Sequence, residues 1–270
     1  MLTRSRYFGA GLQRETERLE AQAVAFSEEL STEARILKLR PGTRVLDAGC
    51  GSGAVTRRIA ELVAPSVVIG VDIDSTFVSA AKKESERLSV SNTEFRDQDL
   101  TKLEFDDGTF DLTYCRFVLP FTVSPLKALR ELKRVTRPEG RVAVVEFEGM
   151  FAFHEPKLGL EASGKIAKYL NRGKTRWRSD YDTLALMKRA GLRMVEAHPI
   201  PEFASQANPK RLRELLTPVF MQQVIYGKAA VKAMFLSRRE LLQGKRDLER
   251  FLAHPESFWM ALTMLRLGTV

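Results

Sequence analysis

The sequence predicts an α/β fold: a doubly wound, seven-stranded, mostly parallel sheet with a helical cap built from insertions. Three observations lead there. An apolar run ending in Asp47 passes into Gly49-Cys50-Gly51-Ser52-Gly53 and then directly into a helical pattern. Such a strand–turn–helix lets backbone approach a nucleotide-like ligand, with the N–H groups of the helix start facing it. Short apolar runs then alternate with helix-period segments as far as Phe147, the pattern of a parallel sheet with crossover helices. After Glu148 that alternation is interrupted by two insertions rich in Lys and Arg, where a cap would be made.

Each element has a local reason. Leu12, Leu19, Ala23, Phe26 and Leu30 recur at helical spacing, predicting one amphipathic helix over residues 11–30. Ser31 or Thr32 then caps a second helix that stops before Pro41-Gly42. Strands are expected near Val45, Val68, Thr93, 110–115 and 141–147. The helices between them are marked by Val55, Ile59, Leu62 and Val63, by residues 75–88, and by Ser124-Pro125 as N-cap and first residue. The insertion at 149–178 is part helical around 158–170. Ser179-Asp180 opens a helix that Gly191 closes, and 193–198 is the sixth strand. Residues 199–209 read as a linker because breakers crowd them. Asn208-Pro209 opens a helical region reaching Phe251, interrupted near Gly227 and Gly244, and 258–269 is the last, antiparallel strand. The expected division is therefore N-terminal helices at 1–40, a core at 41–200, a helical cap at 201–256 and the final strand at 257–270.

Composition removes several classes. A chain of 270 residues with 44% hydrophobic content fills one large domain, or a domain with a cap. It has no run of 18 apolar residues, so no membrane span is expected, and residues 1–10 lack the apolar centre of a signal peptide. Two cysteines make no disulfide framework, and a reducing cytoplasm is the default setting. Without a Cys-x-x-Cys pair or clustered His, no metal site is expected. The net charge of +9 is uneven: residues 165–178 carry +6 and residues 208–246 carry +7, which leaves the rest acidic. Such stretches are either solvated helix faces or a basic surface for an anionic substrate, nucleic acid or membrane.

The glycine loop selects its ligand by charge. Asp47 stands two residues before Gly49, where a carboxylate would repel a pyrophosphate. It suits a cation instead, such as the sulfonium or ammonium of S-adenosylmethionine. Asp72 ends the second strand 19 residues after Gly53, near the offset at which an acid grips ribose hydroxyls. Asp99 follows the third strand, where a carboxylate can accept from an adenine amino group.

These residues carry a family resemblance. VLDAGCGSG resembles the first motif of class I S-adenosylmethionine-dependent methyltransferases, and VDID the second. RDQDL, FDDGTFDLTYCRFVLPF and LKALRELKRVTRPEGRVAVVEF resemble the third to fifth strands with their connecting helix, so the likeness runs from Leu39 to about Pro199. A weaker likeness around ETERLEAQA points to the small-molecule branch. The resemblance implies cofactor contacts from Asp47, Gly49, Cys50, Gly51, Asp72, Ile73, Asp99, Leu100, Arg116 and Phe117, with Tyr7 and Phe8 as an N-terminal lid.

Catalytic residues are harder to name, because methyl transfer from a sulfonium needs mainly proximity and alignment. His154, just past the fifth strand, is the candidate general base. Glu146 and Glu148 alternate out of that strand, either towards an acceptor or as a solvated strand end. Phe117-Val-Leu-Pro-Phe121 lacks the polar residue and second proline of the motif used on nucleic-acid amino groups, and Cys115 reads as a strand residue. The expected activity is methyl transfer to O or N of a small acceptor, anionic if the basic insertions face it. Phe220, Met221, Val224, Met234 and Phe235 would line an apolar pocket. Methylation of RNA or protein, a non-catalytic cofactor-binding role and another transfer from the same cofactor remain alternatives. The oligomeric state is not set by sequence.

Overall fold

The computed structural model describes residues 12–147, 153–155, 161–170 and 183–270. The chain divides into two compact units. One, the sheet unit, comprises Leu30–Gly149, Trp177–Ile200 and Thr263–Val270; the other, the helical unit, comprises Met1–Glu29, Met150–Arg176 and Pro201–Leu262.

In the sheet unit β1 (Val45–Ala48), β2 (Val68–Asp72), β3 (Thr93–Asp97), β4 (Phe110–Arg116) and β5 (Thr136–Phe147) are parallel, in the order β3-β2-β1-β4-β5. Residues 263–269 of β8 (Phe258–Thr269) run antiparallel to β5, from Phe147↔Thr263 to Arg141↔Thr269. β7 (Arg193–Ser205) pairs with β8. The seven expected strands all form, and among the described residues a short β6 (Phe153–Glu155) of the helical unit pairs antiparallel with residues 258–260 of β8. Period-2 alternation gives the sheet two apolar faces. Leu46, Ala48, Val142 and Val144 pack with Ala128, Leu129 and Leu132 of α5 (Pro125–Val135) and Met187 of α7 (Thr183–Arg189). Val45, Val68, Leu112 and Val145 pack with Ile59, Ala60 and Val63 of α3 (Ala54–Val63) on the other face. Helices on both faces make the sheet doubly wound.

Residues 199–205, expected as a linker, continue β7. Ile200, Glu202 and Ala204 are buried while the alternating Pro199, Pro201 and Phe203 are exposed. Prolines are tolerated there because an edge strand needs donors on one side only.

The helical unit contains α1 (Leu12–Ala25), α6 (Glu161–Leu170), α8 (Pro209–Lys232) and α9 (Arg238–Ala253), and α8 packs on the other three. The single N-terminal helix expected over 11–30 breaks at Phe26. Ser31 and Thr32 therefore fall inside α2 (Ser27–Ile36) rather than capping it. Gly227 and Gly244 do not interrupt their helices. A Cβ on Gly227 would lie 2.5 Å from Leu241 Cδ1, and one on Gly244 2.4 Å from Ala162 Cβ. Both glycines are points of closest helix approach, an advantage that outweighs their cost of ~1 kcal/mol in a helix. Of the five residues expected to line an apolar pocket, Met221 and Phe235 pack against the helical core, but Phe220, Val224 and Met234 are exposed.

Candidate cofactor site

The strand order reverses beside β1, with β2 and β3 to one side and β4 and β5 to the other. In open α/β sheets this switch point creates a crevice at the carboxyl ends of the two central strands.

The glycine loop fills one wall of that crevice. Gly49 and Gly53 have φ of 83° and 75°, left-handed values that penalise any Cβ. They are also contact points. A Cβ on Gly49 would lie 2.4 Å from Val118 Cγ2, and one on Gly53 2.7 Å from Phe95 Cε1. The Gly49 and Cys50 N–H groups both donate to the Val71 carbonyl, at 2.7 and 2.9 Å, which ties the loop to the end of β2. Buried Arg57 of α3 holds it from below, Nη1 donating to the Ser52 carbonyl at 3.0 Å.

Two carboxylates stand at this edge. Asp47, 3% exposed, accepts from Thr56 Oγ1 at 2.6 Å. Burial pushes its carboxyl up to about 6, against the Thr56 hydrogen bond and with a further push from the charge of Asp72. Asp72 accepts from Gly51 N–H at 3.0 Å through one oxygen and from Asp74 N–H at 3.0 Å through the other. Burial raises its carboxyl too, despite those donors. Asp72 is thus no helix cap; Asp74 caps α4 (Ser75–Arg87). Beside it Ile73 is 65% exposed, an apolar platform at the strand end.

The opposite wall comes from β4 and β5. Phe117 has φ of 57°, a strained value for a large residue, and such strain gathers at functional edges. It is held by its N–H on the Val145 carbonyl at 2.8 Å. Its ring stacks on Phe147 at 4.3 Å, and the Arg116 guanidinium lies 4.1 Å from the ring centre. Arg116 Nε meets Glu33 Oε1 of α2 at 3.3 Å, and Tyr114 Oη donates to Glu33 Oε2. Glu146, 6% exposed, takes the Val118 and Leu119 N–H groups on one oxygen, both at 3.1 Å. Burial pushes it up to about 8, opposed by those two donors and by Arg266. It is not a solvated strand end. It clamps the turn after β4, and through Val118 it reaches Gly49.

This edge fits S-adenosylmethionine. Among the described residues neither carboxylate makes a salt bridge, and Arg116, whose charge reaches Asp47, is engaged with Glu33. A sulfonium or ammonium group would supply a closer counter-charge. The backbone at Gly49 has no Cβ, and Ile73 offers an apolar surface for a base. Asp47, Gly49, Cys50, Gly51, Asp72, Ile73, Arg116 and Phe117 meet at the ends of β1, β2 and β4. Asp99 lies exposed past β3 and already closes a turn, Oδ1 accepting from Thr101 N–H at 2.8 Å. The Leu100 side chain is buried in the core, so any ligand contact from it must come from backbone. Tyr7, Phe8 and Glu148 lie outside the described residues. The backbone of His154 is in β6, opposite Trp259, and its side chain is outside the described residues.

Sequence reasoning missed Glu33, Tyr114, Thr56 and the clamp by Glu146. The spacing of Leu30, Glu33 and Leu37 was the available signal, since it puts a glutamate on a core-facing helical row. A cavity of about 400 Å³ near Asp107, Arg130, Lys133 and Arg134 lies at the amino ends of β4 and β5, away from this chemistry. Arg134 there is spent on Asp107, Glu131 and two carbonyls.

Residues 46–144 match the family model of a methyltransferase domain. An uncharacterized methyltransferase of Schizosaccharomyces pombe is 37% identical over 120 residues, 42% of this chain and 43% of the relative. A ubiquinone/menaquinone biosynthesis C-methyltransferase of Bdellovibrio bacteriovorus is 28% identical over 166 residues, 56% of this chain and 70% of the relative. The match thus spans less than half of the yeast relative's length. The YcgJ protein of Bacillus subtilis shares the fold, with a TM-score of 0.58 at 20% identity, over 90% of this chain and 98% of that one.

Proposed function

From a chain that carries a class I, S-adenosylmethionine-dependent methyltransferase domain, we propose an enzyme that transfers the methyl group to a small-molecule acceptor at O or N. The observation that carries this reading is the Asp47–Asp72 carboxylate pair beside a glycine loop, at the switch point of the sheet. When bound, the cofactor supplies a methyl group already activated by sulfonium charge. The chain's own residues then have to bind, orient and keep out water. Asp72 keeps lone pairs for ribose hydroxyls beyond its two N–H partners. Asp47 neutralises positive charge near the loop, Ile73 carries the base, and Asp99 accepts from its amino group. Phe117 and Val118, fixed by Glu146, wall the methionine end. His154 is the proposed general base for an acceptor that must lose a proton.

The Bdellovibrio relative is named as a C-methyltransferase, so an activated carbon is the second reading for the acceptor atom. An RNA or protein acceptor is less favoured, because the nucleic-acid amino-group motif is absent at 117–121.

Calorimetric titration with S-adenosylmethionine and S-adenosylhomocysteine tests the cofactor assignment, with low-micromolar binding of both expected. Failure of both to bind sinks the proposal. Mass spectrometry of products from an acceptor screen, anionic acceptors first, then tells O, N and C apart.

A further inference from the structure

The outward row of α8 is built for contact. Lys210, Arg213, Thr217, Phe220, Val224 and Lys228 follow at steps of three or four, one helix face, and all are exposed. Lys210 also meets Glu214 at 3.8 Å. From there to Glu240 the sequence holds no acid, yet it holds Lys228, Lys232, Arg238 and Arg239. The turn that follows α8 carries Met234, 91% exposed and held at φ 60°, and Leu242 of α9 is 49% exposed. Folding does not explain this. Arg238 and Arg239 open α9, where the helix dipole disfavours cations, and the Ser237–Glu240 capping box already closes that helix end.

We propose that this face of the helical unit docks on an anionic lipid surface. Phe220, Val224 and Met234 enter the interfacial layer while the surrounding lysines and arginines meet lipid phosphates. Charge complementarity selects the partner, and the apolar residues select lipid over nucleic acid. Phosphate-backbone binding would use the cations alone and gain nothing from an exposed methionine or valine. Among the described residues no helix is long and apolar enough to cross a membrane, so α8 lies along the surface.

Co-sedimentation of the full chain with phosphatidylcholine vesicles, with and without phosphatidylglycerol, is the test. Binding is expected only with phosphatidylglycerol and weakens as salt is raised. Each cation removed is expected to cost about fivefold in affinity, and joint reversal of Lys228, Lys232, Arg238 and Arg239 to Glu on the order of several hundredfold or more. Met234→Asp is expected to lose several-fold with its melting temperature unchanged, and this variant separates insertion from simple charge attraction. The proposal is overturned by absent binding to anionic vesicles, by binding that the charge reversals leave intact, or by Met234→Asp binding like wild type while RNA holds the wild-type chain in a salt-sensitive way.

Discussion

Buried charge does different work in the two units. In the sheet unit Asp47, Asp72 and Glu146 gather along the carboxyl edge, and their hydrogen-bond partners are a hydroxyl and backbone N–H groups of the turns that form the site, while Glu33 is shared between Tyr114 and the buried side chain of Arg116. In the helical unit the buried ions face one another. Arg211 of α8 meets Glu29 at 2.7 Å, both nearly inaccessible, and its guanidinium also donates to the Ala25 carbonyl. Asp47 and Asp72, paired with neutral donors, keep charge and lone pairs for a ligand, whereas Glu146 serves as an acceptor for the turn. Ions paired with each other are consumed in holding helices together. Burial alone therefore does not mark a functional acid; its partner does.

The comparison breaks most visibly at Arg211. Arg211→Met leaves Glu29 buried without its cation, and ~3–5 kcal/mol of stability should be lost. The double variant with Glu29→Leu should recover most of it, and calorimetric unfolding reads both. Cofactor affinity of folded protein should not move. If it drops with stability, Arg211 does more than hold helices together and the contrast fails.

Glu146 comes next. Glu146→Ala strands the Val118 and Leu119 N–H groups, and a loss of about 2–3 kcal/mol is expected. Glu146→Gln keeps an acceptor oxygen and matches the neutral carboxyl expected at pH 7, so near-native stability and affinity are predicted. A Gln variant as damaged as the Ala variant would mean that charge, not hydrogen-bond acceptance, is what Glu146 supplies.

Asp72→Ala should weaken S-adenosylmethionine binding by about 1–3 kcal/mol, through the ribose contact and the lost Gly51 partner. Unchanged affinity would remove Asp72 from the proposed site.

The smallest effect is one of pH. With its carboxyl at about 6, Asp47 is ionised and attractive to a cation above that value. Cofactor affinity should fall as pH drops through 6, by up to about tenfold per unit, and Asp47→Asn should flatten the profile. Folding responds in the opposite sense. Between the ordinary 3.8 and about 6 the native state holds a proton that the unfolded chain has lost, so stability falls as pH rises through that window.

Much of the sheet was legible because parts of its central strands are apolar runs, as in Val67-Val-Ile-Gly-Val71, and because the glycine loop needs Gly at fixed positions. The Asp47–Asp72 pair was legible for the same reason. Glu33 was not, since a buried glutamate looks like any other helix glutamate until Tyr114 and Arg116 arrive from 81 and 83 residues away. Phe117 was not, because nothing local signals a left-handed phenylalanine. Gly227 and Gly244 misled, because only the partner helix explains a glycine that packs rather than breaks.

The two prolines of β7 have a consequence for assembly. Pro199 and Pro201 are one residue apart, so both missing donors fall on the same side of the strand. An unpaired border of this kind otherwise templates a strand from a neighbouring molecule. Ile200 between them turns its carbonyl to Thr263 of β8, so the two gaps lie on the side away from β8 and make β7 a poor template for intermolecular ribbon growth. Replacing both prolines would open that border to polymerisation without touching the ligand chemistry.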